Sequence, residues 1–371
     1  MISALAFVRR DHRALNRGAS YARRMGRMIH FGNDVVGQDR QSRRAARLLE
    51  RLHISLATRY GLGTLDKISA LVNLPLEGVS VDLIYRYDPH PPIVLDAPQT
   101  ALAAQRVLAD GNRRLTSVVA QMQKATLGED AASEIVVPVC PLSMGIPLWA
   151  GAVPTQQPFA AVLGCADARV PVEAIFDQSF NDLFVLRIAG NVLGTECLGS
   201  LDFAARQFAR SLKLVMVLGH TGCGAVSAAV DTYLSPQDYA GIAFTHSLRS
   251  IVDRIMIAVR GASTALQQVC GPSVRRDPNY KDALKELTVY LNAAITAFEL
   301  RREVSALQAE SIQVVYSVYD LATMFVTAMP TEKPAEPSFG PVPAQDQLTE
   351  LANRLAAAIV EKGMLESSVP G

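Results

Sequence analysis

Short apolar runs alternate with helical patterns through the middle of the chain. The runs that predict strands are Phe159–Leu163, Leu183–Ile188, Leu212–Leu218 and, at the end of the region, Ile312–Val318. A helical pattern at Leu201–Ser211 separates the second and third runs, and most of residues 233–310 also have helical periodicity. Strands that alternate with helices form parallel sheets buried on both faces. The pattern therefore predicts an α/β fold with a mostly parallel central sheet flanked by helices.

The same patterns divide the chain into three parts, at 1–95, 96–329 and 330–371. The first is an extension of unassigned fold, with a helical stretch near Arg40–Arg59 and a strand-like alternation near Val79–Tyr87. The second is the α/β core, which we expect to fold without its flanks. It opens with a helical pattern from Ala101 to Leu108, which Gly111 and Asn112 are expected to end.

The third part begins with a proline-rich stretch, which predicts an extended linker. Apolar residues then recur at helical spacing and predict a short amphipathic helix; they are Leu348, Leu351, Leu355 and Ile359. We expect this helix to pack on its own domain or on a neighbouring subunit.

Composition argues against three classes of protein: nucleic-acid-binding proteins, membrane-spanning proteins and secreted disulfide-rich proteins. The net charge is +1, which gives no overall reason to expect a nucleic-acid partner. No apolar stretch approaches the length of a membrane span. An odd number of cysteines, five, does not suit a secreted disulfide framework, so we expect reduced thiols and a cytoplasmic, bacterial protein.

Positive charge is concentrated at the N-terminus. Residues 1–51 contain twelve arginines, no lysine and four acidic residues. An Arg-rich, acid-poor start is typical of organellar targeting segments, and it also suits a basic arm that contacts phosphate or an acidic partner. A solvated extension without a partner is the third interpretation, and the sequence leaves all three open.

Two motifs carry candidate chemistry, and each follows a predicted strand. The first is Gly164-Cys165-Ala166-Asp167-Ala168-Arg169, and the second is Gly219-His220-Thr221-Gly222-Cys223-Gly224. Ligands of parallel α/β sheets bind beyond the carboxyl ends of the strands, so we expect the two motifs to meet there. Two thiolates and one imidazole are ligands that zinc prefers, and a catalytic zinc keeps its fourth position open.

These residues also have interpretations that involve no catalysis. Cysteine and histidine can be ordinary core residues, and a zinc ion can be purely structural. Asp167 and Arg169 are two residues apart and can form a bidentate ion pair, which would hold the carboxylate away from a metal. The same pair can also be a simple surface salt bridge.

Together the motifs resemble the β-carbonic anhydrases. The resemblance begins at Cys165-Ala166-Asp167-Ala168-Arg169-Val170-Pro171, continues through Asp182–Arg187, and closes with Val217–Val226. It covers residues 97–328 approximately, and the two motifs in this order are specific to that family. It implies a sheet of four parallel strands with an added edge strand, assembled as homodimers or multiples of dimers.

The resemblance also implies roles for individual residues. Cys165, His220 and Cys223 would bind zinc, the cofactor, and Asp167 with Arg169 would form the catalytic dyad. The residues implied for bicarbonate and CO₂ are Gln156, Phe184, Ala189 and Gly224, with Gln156 and Phe184 reaching across a dimer interface. The implied reaction is reversible hydration of CO₂ to bicarbonate and a proton, by zinc-hydroxide attack oriented by the dyad. Because two thiolates make the zinc a weaker acid, activity should rise toward alkaline pH.

Two other functions fit parts of the same sequence. Hydrolysis of carbonyl sulfide or carbon disulfide would use the same motifs with a different pocket mouth. A zinc-stabilised docking or scaffold protein would instead use the Arg-rich start and the C-terminal helix.

Overall fold

The structure is a computed structural model of the 371-residue chain. It describes residues 82–87, 97–127, 134–139, 151, 153, 155–242, 245–306, 311–332 and 334–365. The chain divides into two compact units, and the second, Val81–Ala125 with Ala132–Gly371, contains the predicted strands and both motifs. The predicted helix near Arg40–Arg59 lies outside the described residues.

The central sheet is mostly parallel, as the apolar runs predict. Its strands are β3 (Ala160–Gly164), β4 (Leu183–Arg187), β5 (Leu214–His220), β6 (Gln313–Tyr319), β7 (Val326–Thr327) and β8 (Gly340–Pro341). The order is β4-β3-β5-β6-β7; β3 to β6 are parallel, while β7 and β8 pair with β6 in the antiparallel sense. A separate two-stranded parallel sheet joins β1 (Asp82–Tyr87) to β2 (Glu134–Val139).

Helices cover both faces of the central sheet. They are α1 (Ala101–Leu127), α2 (Val172–Ile175), α3 (Thr195–Gln207), α4 (Gly224–Leu234), α5 (Tyr239–Ile242), α6 (His246–Cys270), α7 (Tyr280–Ala306) and α8 (Leu348–Glu361). Strand β5 shows how the two cores divide: Val215 and Val217 face the cluster of α3, α4, α6, α7 and α8, and Met216 faces the cluster of α1 and α2. Alternate residues of a strand point to opposite faces, so a strand covered on both faces is apolar throughout. None of the helices described here has the length and apolar character to cross a membrane.

The predicted end of the first core helix is wrong. Helix α1 continues past Gly111 and Asn112 to Leu127. A Cβ atom on Gly111 would lie 1.6 Å from the carbonyl oxygen of Phe176, so the glycine allows a close approach of the backbone. The Asn112 side chain donates to the carbonyl oxygens of Ile175 and Met324, at 3.1 and 3.0 Å. Both residues are helix-weakening in isolation, and tertiary contacts override that preference.

Other boundaries also differ from the predictions. Helix α3 begins at Thr195 rather than at the predicted Leu201. Thr195 and Glu196 suit the first turn of a helix, but they are polar, so the apolar pattern did not include them. Strand β5 extends to His220, so the second motif begins inside the strand. The strand near Val79–Tyr87 is confirmed as β1, but its partner β2 was not predicted.

The C-terminal helix packs on its own domain. Leu351, Leu355 and Ile359 of α8 are buried among residues of α6 and α7. Lys362 forms an ion pair of 2.8 Å with Glu286, and both side chains are mostly buried. Upstream of α8 the proline-rich stretch also lies on the core, because β8 pairs with β6. The domain boundaries 1–95, 96–329 and 330–371 stay predictions.

Candidate active site

The two motifs meet at the carboxyl end of the central sheet. Strands β3 and β5 are parallel neighbours, and Gly164 lies level with Leu218, so both strands end at the same edge. Cys165 follows β3, His220 ends β5, and Cys223 immediately precedes α4. The potential ligand atoms of these three residues all lie within 4.8 Å of one another, and the three residues are buried. The fold therefore brings together the ligand set that the motifs predict.

The His220 ring is oriented as a metal ligand would be. Its Nδ1 lies 2.9 Å from the carbonyl oxygen of Thr221. Because a carbonyl oxygen can only accept, Nδ1 is the donor in this contact, and Nε2 is the ring atom that faces the cluster. Nε2 is buried and has no hydrogen-bond partner among the described residues. A buried polar atom without a partner is costly, and a cation held with the two sulfurs would satisfy it.

The two thiols are electrostatically coupled. A hydrogen bond from Cys223 lowers the pKa of Cys165 to about 4, with smaller contributions from His220 and from backbone N–H groups. The pKa of Cys223 is raised, first by that hydrogen bond and second by burial. The two sulfurs thus lie close enough to interact directly, and a divalent cation bound between them would favour the thiolate form of both.

Asp167 and Arg169 form the predicted bidentate pair beside this cluster. Arg169 donates from Nε to Oδ1 at 2.9 Å and from Nη2 to Oδ2 at 2.7 Å, and its backbone N–H donates to Oδ1 at 2.9 Å. These hydrogen bonds, the Arg169 side chain first, hold the pKa of Asp167 well below its usual range. Oδ2 lies 3.8 Å from Nε2 of His220, so an ionised carboxylate stands at the margin of the metal cluster. Arg169 also donates to the carbonyl oxygen of Gly222, at 3.2 Å, and so links the two motifs.

The predicted pocket residues lie at varying distances from the cluster. Ala189 belongs to the short turn Ala189–Asn191, whose middle residue, Gly190, contacts Cys165. Gly224 is exposed and begins α4. Phe184 lies on β4, where its ring packs against Phe208 at 5.9 Å between centroids. Gln156 is exposed on the segment before β3, and no described hydrogen bond joins it to the cluster. The structure of one chain thus brings Ala189 and Gly224 to the cluster, but not Gln156 or Phe184.

Residues without a predicted role also shape the site. Arg187 ends β4 and donates from Nε to the carbonyl oxygen of Cys165 at 3.0 Å, and from Nη2 to that of Asp167. The N–H of Gly190 donates to Sγ of Cys165 at 3.3 Å. The position of Arg187 at the end of a predicted strand was a usable signal, because neighbouring parallel strands end together. Gly190 offered no signal beyond its residue type.

Comparison with known proteins identifies relatives of this region. A family model described as carbonic anhydrase matches residues 160–326. Carbonic anhydrase 2 of Mycobacterium tuberculosis is 47% identical over 81 residues, which is 22% of this chain and 38% of the relative. The carbonic anhydrase of Mycolicibacterium smegmatis is 34% identical over 154 residues, which is 42% of this chain and 62% of the relative. The chain thus spans less than two thirds of the length of either relative.

Solved structures give a weaker likeness. The β-carbonic anhydrase of Coccomyxa, in complex with acetazolamide, has a TM-score of 0.37 at 23% identity, covering 47% of this chain and 72% of that one. A tetrameric β-carbonic anhydrase of Sordaria macrospora has a TM-score of 0.37 at 16% identity, covering 47% of this chain and 81% of that one. By these sequence matches, residues 160–326 of this chain are similar to the carbonic anhydrases.

Proposed function

We propose that this protein is a zinc enzyme that catalyses the reversible hydration of CO₂ to bicarbonate and a proton. One observation carries the proposal. In the buried cluster of Cys165, His220 and Cys223, Nε2 of His220 has no hydrogen-bond partner among the described residues and lies 3.8 Å from an ionised carboxylate. The similarity of residues 160–326 to carbonic anhydrases supports the choice of reaction.

Cys165, His220 and Cys223 are the residues that would hold the zinc. Two sulfurs and one imidazole nitrogen would supply three ligands, which is the number that catalytic rather than structural zinc sites take from the protein. When bound, zinc supplies Lewis acidity that makes a water molecule nucleophilic near neutral pH. The Nδ1–H of His220, bonded to the Thr221 carbonyl, fixes the ring so that Nε2 is the ligand atom.

Asp167 is proposed to orient the nucleophile. Its Oδ2 is unprotonated at neutral pH, because Arg169 lowers the pKa of the carboxyl group, and so it accepts a hydrogen bond from the attacking water. Arg169 has two functions in this proposal. It keeps the carboxylate ionised, and it prevents Asp167 from occupying the ligand position that the water needs.

Gln156 and Phe184 are proposed to complete the substrate pocket in a homodimer. Among the strands that the structure describes, β4 lies at an edge of the sheet, and nearby Phe180 and Phe203 are 65% and 54% exposed. Exposed aromatic side chains beside an unpaired strand edge favour association. We propose that a second copy covers this edge. Light scattering should then give the mass of a dimer or a multiple of it, and a monomer would contradict the proposal.

The experiment that tests the function combines metal analysis with stopped-flow CO₂ hydration. Cys223→Ser should remove a thiolate, most of the bound zinc and the activity. Cys197→Ser is the matched control, because Cys197 is a free cysteine on α3 outside the cluster and should keep both. Full zinc retention in both Cys165→Ser and Cys223→Ser would disprove the site.

A second assay on the same wild-type protein separates CO₂ hydration from the alternatives. Faster turnover of carbonyl sulfide or carbon disulfide than of CO₂ would reassign the substrate. Zinc bound without any turnover would instead indicate a docking or scaffold protein.

The cytoplasm is the compartment that we propose. Cys165 and Cys223 have to stay reduced to bind a metal as thiolates, and a reducing compartment favours that state.

A further inference from the structure

The turn after β4 holds one sulfur of the cluster through a backbone N–H. Gly190 donates its N–H to Sγ of Cys165 at 3.3 Å. The residue has φ 68° and ψ 16°, a left-handed conformation that glycine adopts without strain. A Cβ atom at this position would lie 2.7 Å from Cδ1 of Ile255, so a larger residue would also clash with α6. Glycine can adopt many backbone conformations, so the residue type alone does not fix the direction of the Gly190 N–H group.

A buried side chain from another helix fixes that residue. Asn292 lies within α7 and is 4% exposed, between the apolar residues Leu291 and Ala293. Its Nδ2 donates to the carbonyl oxygen of Gly190 at 2.9 Å, across 102 residues of sequence. Burying a carboxamide is unfavourable without a hydrogen bond, and asparagine is a weak helix former. The contact with Gly190 is the observation that accounts for an asparagine at this position.

We propose that Asn292 is a positioning residue for Cys165. By holding the carbonyl group of Gly190, it keeps the N–H of the same residue directed at the sulfur. An N–H donor stabilises a thiolate and restricts its orientation, and partners of metal ligands commonly contribute to metal affinity in this way. The inference rests on the proposed function in one respect, that Cys165 is a zinc ligand.

Thr288 provides a matched control on the same helix. It is fully buried, and its Oγ1 donates to the carbonyl oxygen of Leu284 at 2.6 Å, within α7 itself. Thr288→Val and Asn292→Leu each replace a buried polar side chain with an apolar one of similar size. Both should lower the melting temperature, but only Asn292→Leu removes a bond to the turn beside Cys165.

The test measures metal binding rather than activity alone. Zinc affinity is determined by competition with a chromogenic chelator, and Co²⁺ is used as a spectroscopic probe of the thiolates. Asn292→Leu should bind zinc about tenfold more weakly or worse. Its thiolate-to-cobalt charge-transfer band should move to longer wavelength, because the sulfur loses a well-directed donor. Thr288→Val should keep the wild-type affinity and spectrum.

Asn292→Ala resolves the case in which Asn292→Leu does not fold. Alanine is the best helix former and has no group that can donate to the carbonyl oxygen of Gly190, so the same losses are expected. Wild-type affinity and spectrum in a folded Asn292→Leu or Asn292→Ala, beside a metal-binding wild type, would overturn this inference alone. A wild type that binds neither metal would overturn the proposed function and this inference with it.

Discussion

Replacing Arg169 with alanine tests how the carboxylate of Asp167 is kept ready. The carboxylate accepts three hydrogen bonds from Arg169, two from the guanidinium group and one from the backbone N–H. Arg169→Ala removes the two side-chain bonds and leaves the backbone bond. Asp167 then becomes free to rotate toward His220, whose Nε2 is already 3.8 Å from Oδ2. A carboxylate is itself a good zinc ligand, so it should compete with water for the open position.

The magnitude follows from the number of bonds and the exposure of the side chain. A hydrogen bond to a charged group contributes about 1.5–3 kcal/mol. The side chain of Arg169 is 58% exposed, and screening by water lowers this contribution to about 1 kcal/mol for each bond. Losing two bonds should therefore shift the balance between held and released carboxylate by about 2 kcal/mol, which is about thirtyfold.

The assay is CO₂ hydration at matched zinc content. Arg169→Ala should keep its zinc and lose about an order of magnitude or more in rate. Arg169→Lys keeps the charge but lacks the planar guanidinium group, so its rate should lie between those of the wild type and Arg169→Ala. Because the side chain is exposed, added guanidinium ion should restore part of the rate in Arg169→Ala. Zinc-loaded Arg169→Ala with the wild-type rate would refute the argument that Arg169 holds Asp167 away from the metal.

Three further predictions concern the acidity of the site and the packing around it. Because the pKa of Asp167 is lowered, its carboxylate stays ionised from pH 6 to 9. The ratio of the wild-type hydration rate to the Asp167→Asn rate should therefore be constant across that range. A ratio that changes with pH in stopped-flow assays would contradict this. Gly111→Ala should cost more than about 3 kcal/mol in urea unfolding, because its Cβ would overlap the carbonyl of Phe176, and a stable Gly111→Ala would contradict the close approach. A fragment of residues 95–330 lacks α8 and exposes the apolar surface that Leu355 and Ile359 cover, so it should aggregate, contrary to the expectation from sequence that the core folds without its flanks. A fragment of residues 95–365 keeps α8 and should stay soluble. Equal solubility of the two fragments in gel filtration would contradict this prediction.

The sequence determined the elements whose pattern is local. Four apolar runs predicted the parallel strands β3 to β6, because a strand buried on both faces must be apolar along its length. The positions of Cys165, His220 and Cys223 after two of those strands then predicted the cluster, since parallel neighbours end at one edge. The pairing of Asp167 with Arg169 was also predictable, because the two residues are close in the chain.

The tertiary structure decided the features that depend on residues far apart in sequence. Gly111 and Asn112 predict the end of a helix by their intrinsic preferences, and only the contacts with Phe176, Ile175 and Met324 explain why α1 continues. Asn292 is an unremarkable polar residue of a helix until the fold brings it to Gly190. Local preferences amount to about 1 kcal/mol for each residue, whereas a buried hydrogen bond or a backbone clash contributes as much or more. Distant contacts therefore decide such positions, and a linear pattern does not contain them.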